Sequence, residues 1–149
     1  MAYSMRTYFD TDKENYLKKQ KTPSAAYRLH YQLVFSTKYR KKLLNDRVAE
    51  DLIRIILDLA GEERYHIFGI QILGEHVHIV ISLRPEHSVA GVMKMIKGRT
   101  SKVLRDRYDE LRRLSNLWTS GYSADSLGDK NIAQIIAYLQ EQQRRHRAE

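Results

Sequence analysis

The stretch QILGEHVHIVISL, residues 71–83, sets two histidines, His76 and His78, one residue apart inside an apolar run. Burying an imidazole is costly unless its ring nitrogens find hydrogen-bond partners or a metal. Side chains alternate along a strand, so His76 and His78 share a face with Val80 and Ser82, while Val77, Ile79, Ile81 and Leu83 take the other face and read as core. Two imidazoles at this spacing can converge on one cation. Most His-x-His pairs are incidental, but this one opens its strand directly after the tight Gly74-Glu75 turn, and a strand end is where a sheet can present a site. The chain contains no cysteine, so any metal would be held by nitrogen and oxygen alone. A third ligand is available near the C-terminus. In NIAQIIAYLQEQQRRHR, Tyr138 and Gln142 are four apart and share one ridge of a helix, beside the apolar stripe of Ile132, Ile135, Ile136 and Leu139. A boundary aromatic and a solvated surface amide fit that spacing equally well, and the two residues alone leave the choice open.

The elements that must position these groups follow from periodicity. YRLHYQLVFST (27–37) alternates and is rich in β-formers, which predicts a strand. Asn45 or Asp46 can cap a helix running to about Ala60, with Val48, Leu52, Ile55, Ile56 and Leu59 at helical spacing and Gly61 at its end. RYHIFGIQIL (64–73) and HVHIVISL (76–83) read as two strands joined by a hairpin, and a helix capped by Ser88 spans about 88–107. NLWTSGY (116–122) is expected as a short fourth strand, SADSLGDK as a loop, and residues 130–146 as the last helix. The order is strand, helix, strand, strand, helix, strand, helix. That is an α+β chain of the ferredoxin-like, RRM-like βαββαβ type, an antiparallel sheet with helices on one face and an extra C-terminal helix carrying Tyr138.

Residues 1–26 are polar, mixed in charge and end in KTPSAA, so they are expected to form a flexible arm ahead of a single domain at 27–149. The chain, at 149 residues, has one domain's length. No apolar run approaches a membrane span and no signal-peptide core is visible, so no membrane association and a cytoplasmic location are expected. Lys and Arg outnumber Asp and Glu by 26 to 18, a net +8 that favours a polyanionic partner, nucleic acid first. Lys38, Arg40, Lys41 and Lys42 follow the first strand, and Lys94, Lys97, Arg99, Lys102 and Arg105 crowd the second long helix. These nine are candidate phosphate contacts, although a solvated basic face has the same composition. Trp118 and Tyr122 are candidate base-stacking residues, with core the better reading for Trp118. Gly121 and Gly128 bracket the expected loop before the last helix and would let that helix move.

The segments YRLHYQLVFSTKYRKKLL, GEHVHIVISL, VMKMIKGRTSKVLR, NLWTSGYSADSLG and IIAYLQEQQ resemble, in that order, the single-tyrosine transposases of the HUH superfamily. These are the TnpA-like enzymes of small prokaryotic insertion sequences, with REP-associated tyrosine transposases as relatives. The HUH motif would be His76-Val77-His78, and the likeness covers about residues 27–144. The resemblance implies that His76, His78 and Gln142 ligate Mg²⁺ or Mn²⁺, and that Tyr138 attacks a phosphodiester of single-stranded DNA to form a 5′-phosphotyrosine link. It also implies partner DNA with subterminal hairpins, a homodimer with active sites shared between subunits, and residence on the nucleoid when bound to DNA. Glu75 stands where the family commonly has aspartate. Two alternatives remain: a domesticated relative that binds or nicks DNA hairpins, and a non-catalytic nucleic-acid-binding module, since RNA-recognition modules share this fold. Those modules display aromatics on the sheet, whereas this chain places histidines there.

Overall fold

The computed structural model describes residues 5–10 and 14–148. The chain runs β1 (Arg6–Phe9), α1 (Glu14–Leu17), β2 (Gln20–Thr22), β3 (Ala25–Tyr27), β4 (Leu29–Ser36), a 3₁₀ turn (Lys38–Arg40), α2 (Asp46–Glu63), β5 (His66–Ile72), β6 (His76–Leu83), α3 (Val89–Arg107), α4 (Asp109–Arg112), β7 (Ser123–Leu127) and α5 (Asp129–Ala148). The main sheet has the order β1-β5-β6-β4-β7 with every pair antiparallel, and β2 and β3 form a separate hairpin. The four strands β4, β5, β6 and β7 with α2 and α3 are the expected βαββαβ unit.

Alternation along the strands sorts the side chains into two layers. Leu33 and Phe35 of β4, Ile67, Ile70 and Ile72 of β5, and Val77, Ile79, Ile81 and Leu83 of β6 enter one core beneath α2 and α3. α2 contributes Val48, Leu52, Ile55, Ile56 and Leu59, as its spacing predicts. Its N-cap is Asn45, whose Oδ1 accepts the Val48 N–H at 3.0 Å. The helix does not stop at Gly61: it continues through Glu62 and Glu63, both good helix formers, to Arg64, which adopts φ 65° and donates its N–H to Ala60 O. α3 is capped by Ser88, whose Oγ accepts the Gly91 N–H at 3.0 Å, and buries Val92, Met93, Ile96 and Leu104. α5 crosses the opposite face of the sheet, where Ile132 and Ile136 pack on Phe68 and Val80.

Two expectations are corrected. The fourth strand is Ser123–Leu127, within the segment read as a loop, and residues 116–122 make only an isolated bridge, Thr37 to Trp118. β7 is an edge strand with an exposed SADS stretch, so it carries no apolar alternation, and its pairing is dictated by β4. The proposed mobile loop between Gly121 and Gly128 is therefore largely a paired strand. The N-terminal arm is also structured where described. RTYF, rich in β-formers, pairs with β5 as β1, and α1 and the β2–β3 hairpin follow. Residues 1–4 and 11–13 of that arm lie outside the described residues.

Trp118 is core, 1% exposed, edge-on to Phe35, and its indole Nε1–H donates to the buried Thr100 Oγ1 at 2.9 Å. The substitution Trp118→Phe removes both indole volume and that donor. It is expected to cost about 1–3 kcal/mol. Urea unfolding checks this: a lower midpoint at unchanged slope is the expected result, and an unmoved midpoint would show that the contact contributes nothing.

Candidate active site

His76 and His78 lie side by side on the α5 face of β6, with ring centroids 5.1 Å apart and planes tilted by 52°. Glu75 Oε1 lies 3.2 Å from His76 Nδ1. That contact commits Nδ1 and leaves Nε2 as the nitrogen open to a ligand. The His78 ring has no hydrogen-bond partner among the described residues. Burial, reinforced by His76 next to it, holds the His78 pKa below its ordinary value, so the ring stays neutral with a lone pair available. A cavity of about 360 Å³ opens over the pair, walled by Val34, Ser36, Arg40, Glu75, Thr119 and Tyr122.

Tyr138 meets His78 at a different cavity. A second cavity, about 250 Å³, is lined by Gln32, Gly69, Gln71, His78, Val80, Ile135, Tyr138 and Leu139, so His78 is the wall common to both cavities. Tyr138 is 51% exposed, as expected of a residue on the flank of the α5 stripe. α5 is fastened at its start: Asp129 pairs with Arg28 at 3.1 Å, and Asn131 Oδ1 accepts the Gly128 N–H at 3.1 Å. Gly69 permits a close approach further along, because a Cβ there would stand 2.5 Å from Leu139 Cδ1. Gln142, one turn beyond Tyr138, is partly buried and lines neither cavity.

The two imidazoles fit a divalent ion as two of its ligands. Among the described residues no group of three or more His, Asp or Glu converges on a metal position, so a third donor has to be an amide, a carboxylate brought in by movement, or the DNA itself. Gln32 and Gln71 bring amides to the cavity shared by His78 and Tyr138, and sequence reading overlooked both. The signal was present in Gln71, a lone amide in an otherwise apolar strand and the register partner of His78.

The basic residues divide. Arg40 lines the histidine cavity, while Lys94, Lys97 and Arg105 line a neighbouring cleft of about 500 Å³ between α3 and residues 115–122. The two spaces share Thr119 and Tyr122, and Tyr122 is 43% exposed. Lys97 Nζ donates to Thr119 O and Gly121 O, and burial lowers its pKa. Arg105 donates to Leu114 O at 2.9 Å and Ser115 O at 3.1 Å. Both brace the wall of the cleft as well as charging it. Arg99 pairs with Glu62 of α2 at 3.0 Å, and Lys38 sits 5.7 Å over the Tyr39 ring. Lys38, Lys41, Lys42, Arg99 and Lys102 line none of these three spaces.

An antiparallel sheet that presents a histidine pair and brings a tyrosine helix alongside, flanked by a basic cleft, defines a candidate phosphodiester site. Residues 25–142 match the family model of IS200-like transposases. The chain is 27% identical over 129 residues to the ISDra2 transposase TnpA of Deinococcus radiodurans, covering 85% of this chain and 92% of that one. It is 28% identical over 115 residues to the transposase for insertion sequence element IS200 of Salmonella typhimurium, 75% of each chain. A crystal structure from Deinococcus radiodurans superposes with TM-score 0.70 at 27% identity, covering 83% of this chain and 97% of that chain. A REP-associated tyrosine transposase bound to a REP hairpin shares the fold at TM-score 0.59 and 15% identity, over 80% and 69% of the two chains. The chain therefore belongs to the IS200-like transposase family. Among the described residues no helix is long and apolar enough to cross a membrane.

Two buried imidazoles bear on acid stability. His30 is 2% exposed, its Nε2 lies 3.1 Å from Tyr16 O, and burial is the largest influence holding its pKa below the ordinary value; for His78 the cause is the same. Both rings stay neutral in the fold at pH values where the unfolded chain binds protons. Stability is therefore fully present above about pH 6.5, falls as the pH drops below that, and levels off once the folded rings take up protons as well. Urea midpoints taken between about pH 7 and pH 5 should decline, and His30→Gln should flatten part of that decline. Parallel curves for the two proteins would show that His30 titrates alike in both states.

Proposed function

We propose that this transposase cleaves and rejoins single-stranded DNA at insertion-sequence ends through a covalent link to Tyr138, with His76 and His78 as ligands of Mg²⁺ or Mn²⁺. The observation that supports it most is the meeting of Tyr138 and His78 at one cavity, from elements far apart in the chain. The Tyr138 Oη attacks phosphorus, the bond from phosphorus to the 3′ oxygen breaks, and the leaving strand takes a proton to become a free 3′-OH. The 5′ end stays on the tyrosine as a phosphodiester, so a later 3′-OH can attack it and release the phenol. Bond energy is conserved, which makes this transfer chemistry rather than hydrolysis.

A divalent ion, when bound, supplies Lewis-acid polarisation of the scissile phosphate and stabilises its developing charge. His76 and His78 would hold it through ring nitrogens, with Glu75 orienting His76 through Nδ1. Gln142 is the proposed third ligand through its amide oxygen. It is four residues beyond Tyr138 on the same ridge of α5. Arg40, Lys94, Lys97 and Arg105 would line the path of the strand, and Tyr122 would offer a face for a base where the two spaces meet. The partner is single-stranded DNA with hairpins near the element ends, and the work is done in the cytoplasm, on the nucleoid.

The test uses labelled single-stranded DNA from each element end, with Mn²⁺ or EDTA, and denaturing electrophoresis. A protein–DNA adduct is expected with Mn²⁺ and none with EDTA. Tyr138→Phe should leave no detectable adduct, and His78→Ala should cut its rate at least about a hundredfold. An adduct that persists in Tyr138→Phe would assign the nucleophile to another of the ten tyrosines. Salt-sensitive binding without any adduct in the unmodified protein would favour a binding module instead.

A further inference from the structure

Ser36, the last residue of β4, is the register partner of His76, and the chain turns sharply just beyond it. The Arg40 N–H donates to Thr37 O at 3.0 Å, which closes a four-residue turn from Thr37 to Arg40. Tyr39 stands third in that turn at φ 59° and ψ 18°, and Arg40 follows at φ 51°. A left-handed φ in that position is ordinarily left to Gly or Asn, because a Cβ crowds the adjoining carbonyl. Here two bulky residues hold it in succession. The frame around them is firm. The Thr37 N–H donates to Glu75 O at 2.8 Å, the Lys38 N–H to Leu117 O at 3.0 Å, and the Leu44 N–H to Gly74 O at 3.0 Å. Thr37 Oγ1 also donates to Lys41 O at 2.6 Å. Strained backbone persists only where its surroundings fix it, and it collects at functional sites.

The turn sends successive side chains to different places. Arg40 walls the histidine cavity, while Tyr39 stands 79% exposed, the highest exposure of any large apolar side chain among the described residues. Burial gives no reason for an aromatic there. The other two exposed tyrosines among the described residues, Tyr122 and Tyr138, each line one of the two cavities that meet at His78. Lys38, Arg40 and Lys41 flank Tyr39 in the chain and are exposed as well. We propose that Tyr39 is a stacking platform for one unpaired base of the single strand, the base beside the phosphate held at His76 and His78, with Arg40 on the backbone between them. The proposal rests on the reading of the histidine pair as a phosphodiester site and adds a preference for unpaired DNA. A base offers its face to an aromatic ring only when it is out of its own stack, and every base has such a face.

The test is a binding series on the full chain in EDTA, so it requires no cleavage. Single-stranded DNA from an element end carries one abasic residue, moved position by position, and affinity is read by fluorescence anisotropy. The proteins are the unmodified chain, Tyr39→Phe, Tyr39→Ala and Tyr39→Gly. Phenylalanine keeps the ring and should bind as the unmodified chain does. Tyr39→Ala and Tyr39→Gly should each bind intact DNA about tenfold more weakly. One abasic position should weaken the unmodified chain by about the same factor and weaken these two variants no further. Urea unfolding separates ring from backbone: at a left-handed φ the Tyr39→Gly midpoint should exceed that of Tyr39→Ala, although the two bind alike. Affinity of Tyr39→Gly within about twofold of the unmodified chain would overturn the proposal, as would abasic losses that are the same with and without the ring. Binding that recovers from Tyr39→Ala to Tyr39→Gly along with the midpoint would reduce Tyr39 to a turn residue and overturn it too. If the unmodified chain forms no adduct with Mn²⁺, the nucleophile reading fails, and the abasic series still decides the role of Tyr39.

Discussion

β6 is paired on both sides, with β4 from Leu29–Leu83 to Ser36–His76 and with β5 from His66–Ser82 to Ile72–Val77. One of its faces, Val77, Ile79, Ile81 and Leu83, is buried at 2% exposure or less. A slip of one residue would turn those four side chains out and drive both imidazoles into the core, so the register is strongly specified. The position of the histidine pair is thus a by-product of hydrophobic burial on the opposite face. What the site adds is small: Glu75 on His76 Nδ1, and enough burial at His78 to keep the ring neutral.

The two layers of the molecule differ in how firmly they hold what they carry. Beneath α2 and α3 lies a continuous core that includes Leu33, Leu52, Ile79, Leu104 and Trp118, and it fixes the sheet. Beneath α5 lies a cluster with four fully buried members. The histidines therefore sit on the rigid part and the tyrosine on the lightly held part. The proposed role of Tyr138, approaching, bonding to and leaving a bulky polymer, would gain from that division, since the elements that move are drawn from regions with little buried apolar contact.

Charge is distributed with the same economy. The net +8 is spread over the surface, but only some of the cations are both near the site and structurally committed. Lys97 and Arg105 hold the carbonyls of residues 114, 115, 119 and 121, which shapes the segment between the basic cleft and the histidine cavity. Pairing with Glu62 ties Arg99 to α2 instead. The match to IS200-like transposases spans this framework from β3 to Gln142, and β1, α1 and β2 lie ahead of it.

Much of this was legible in the residues. Alternation in HVHIVISL placed the histidines on one face and their neighbours in the core; helical spacing found α2, α3 and α5, and set Tyr138 and Gln142 on the flank of the last. Such patterns survive in sequence because burial on one face imposes a period. β7 left no such mark, because SADSL is an exposed edge strand whose conformation comes from pairing with β4. β1 was hidden for a related reason: RTYF is only half-buried, and its partner is β5, distant in sequence. Gln32, Gln71 and the meeting of His78 with Tyr138 were beyond reach as well, since nothing local connects three strands and a helix. By itself the sequence determined which side chains face which way along each element. The tertiary structure decided which elements lie together, because strand pairing and the seating of α5 join residues whose local patterns carry no information about one another.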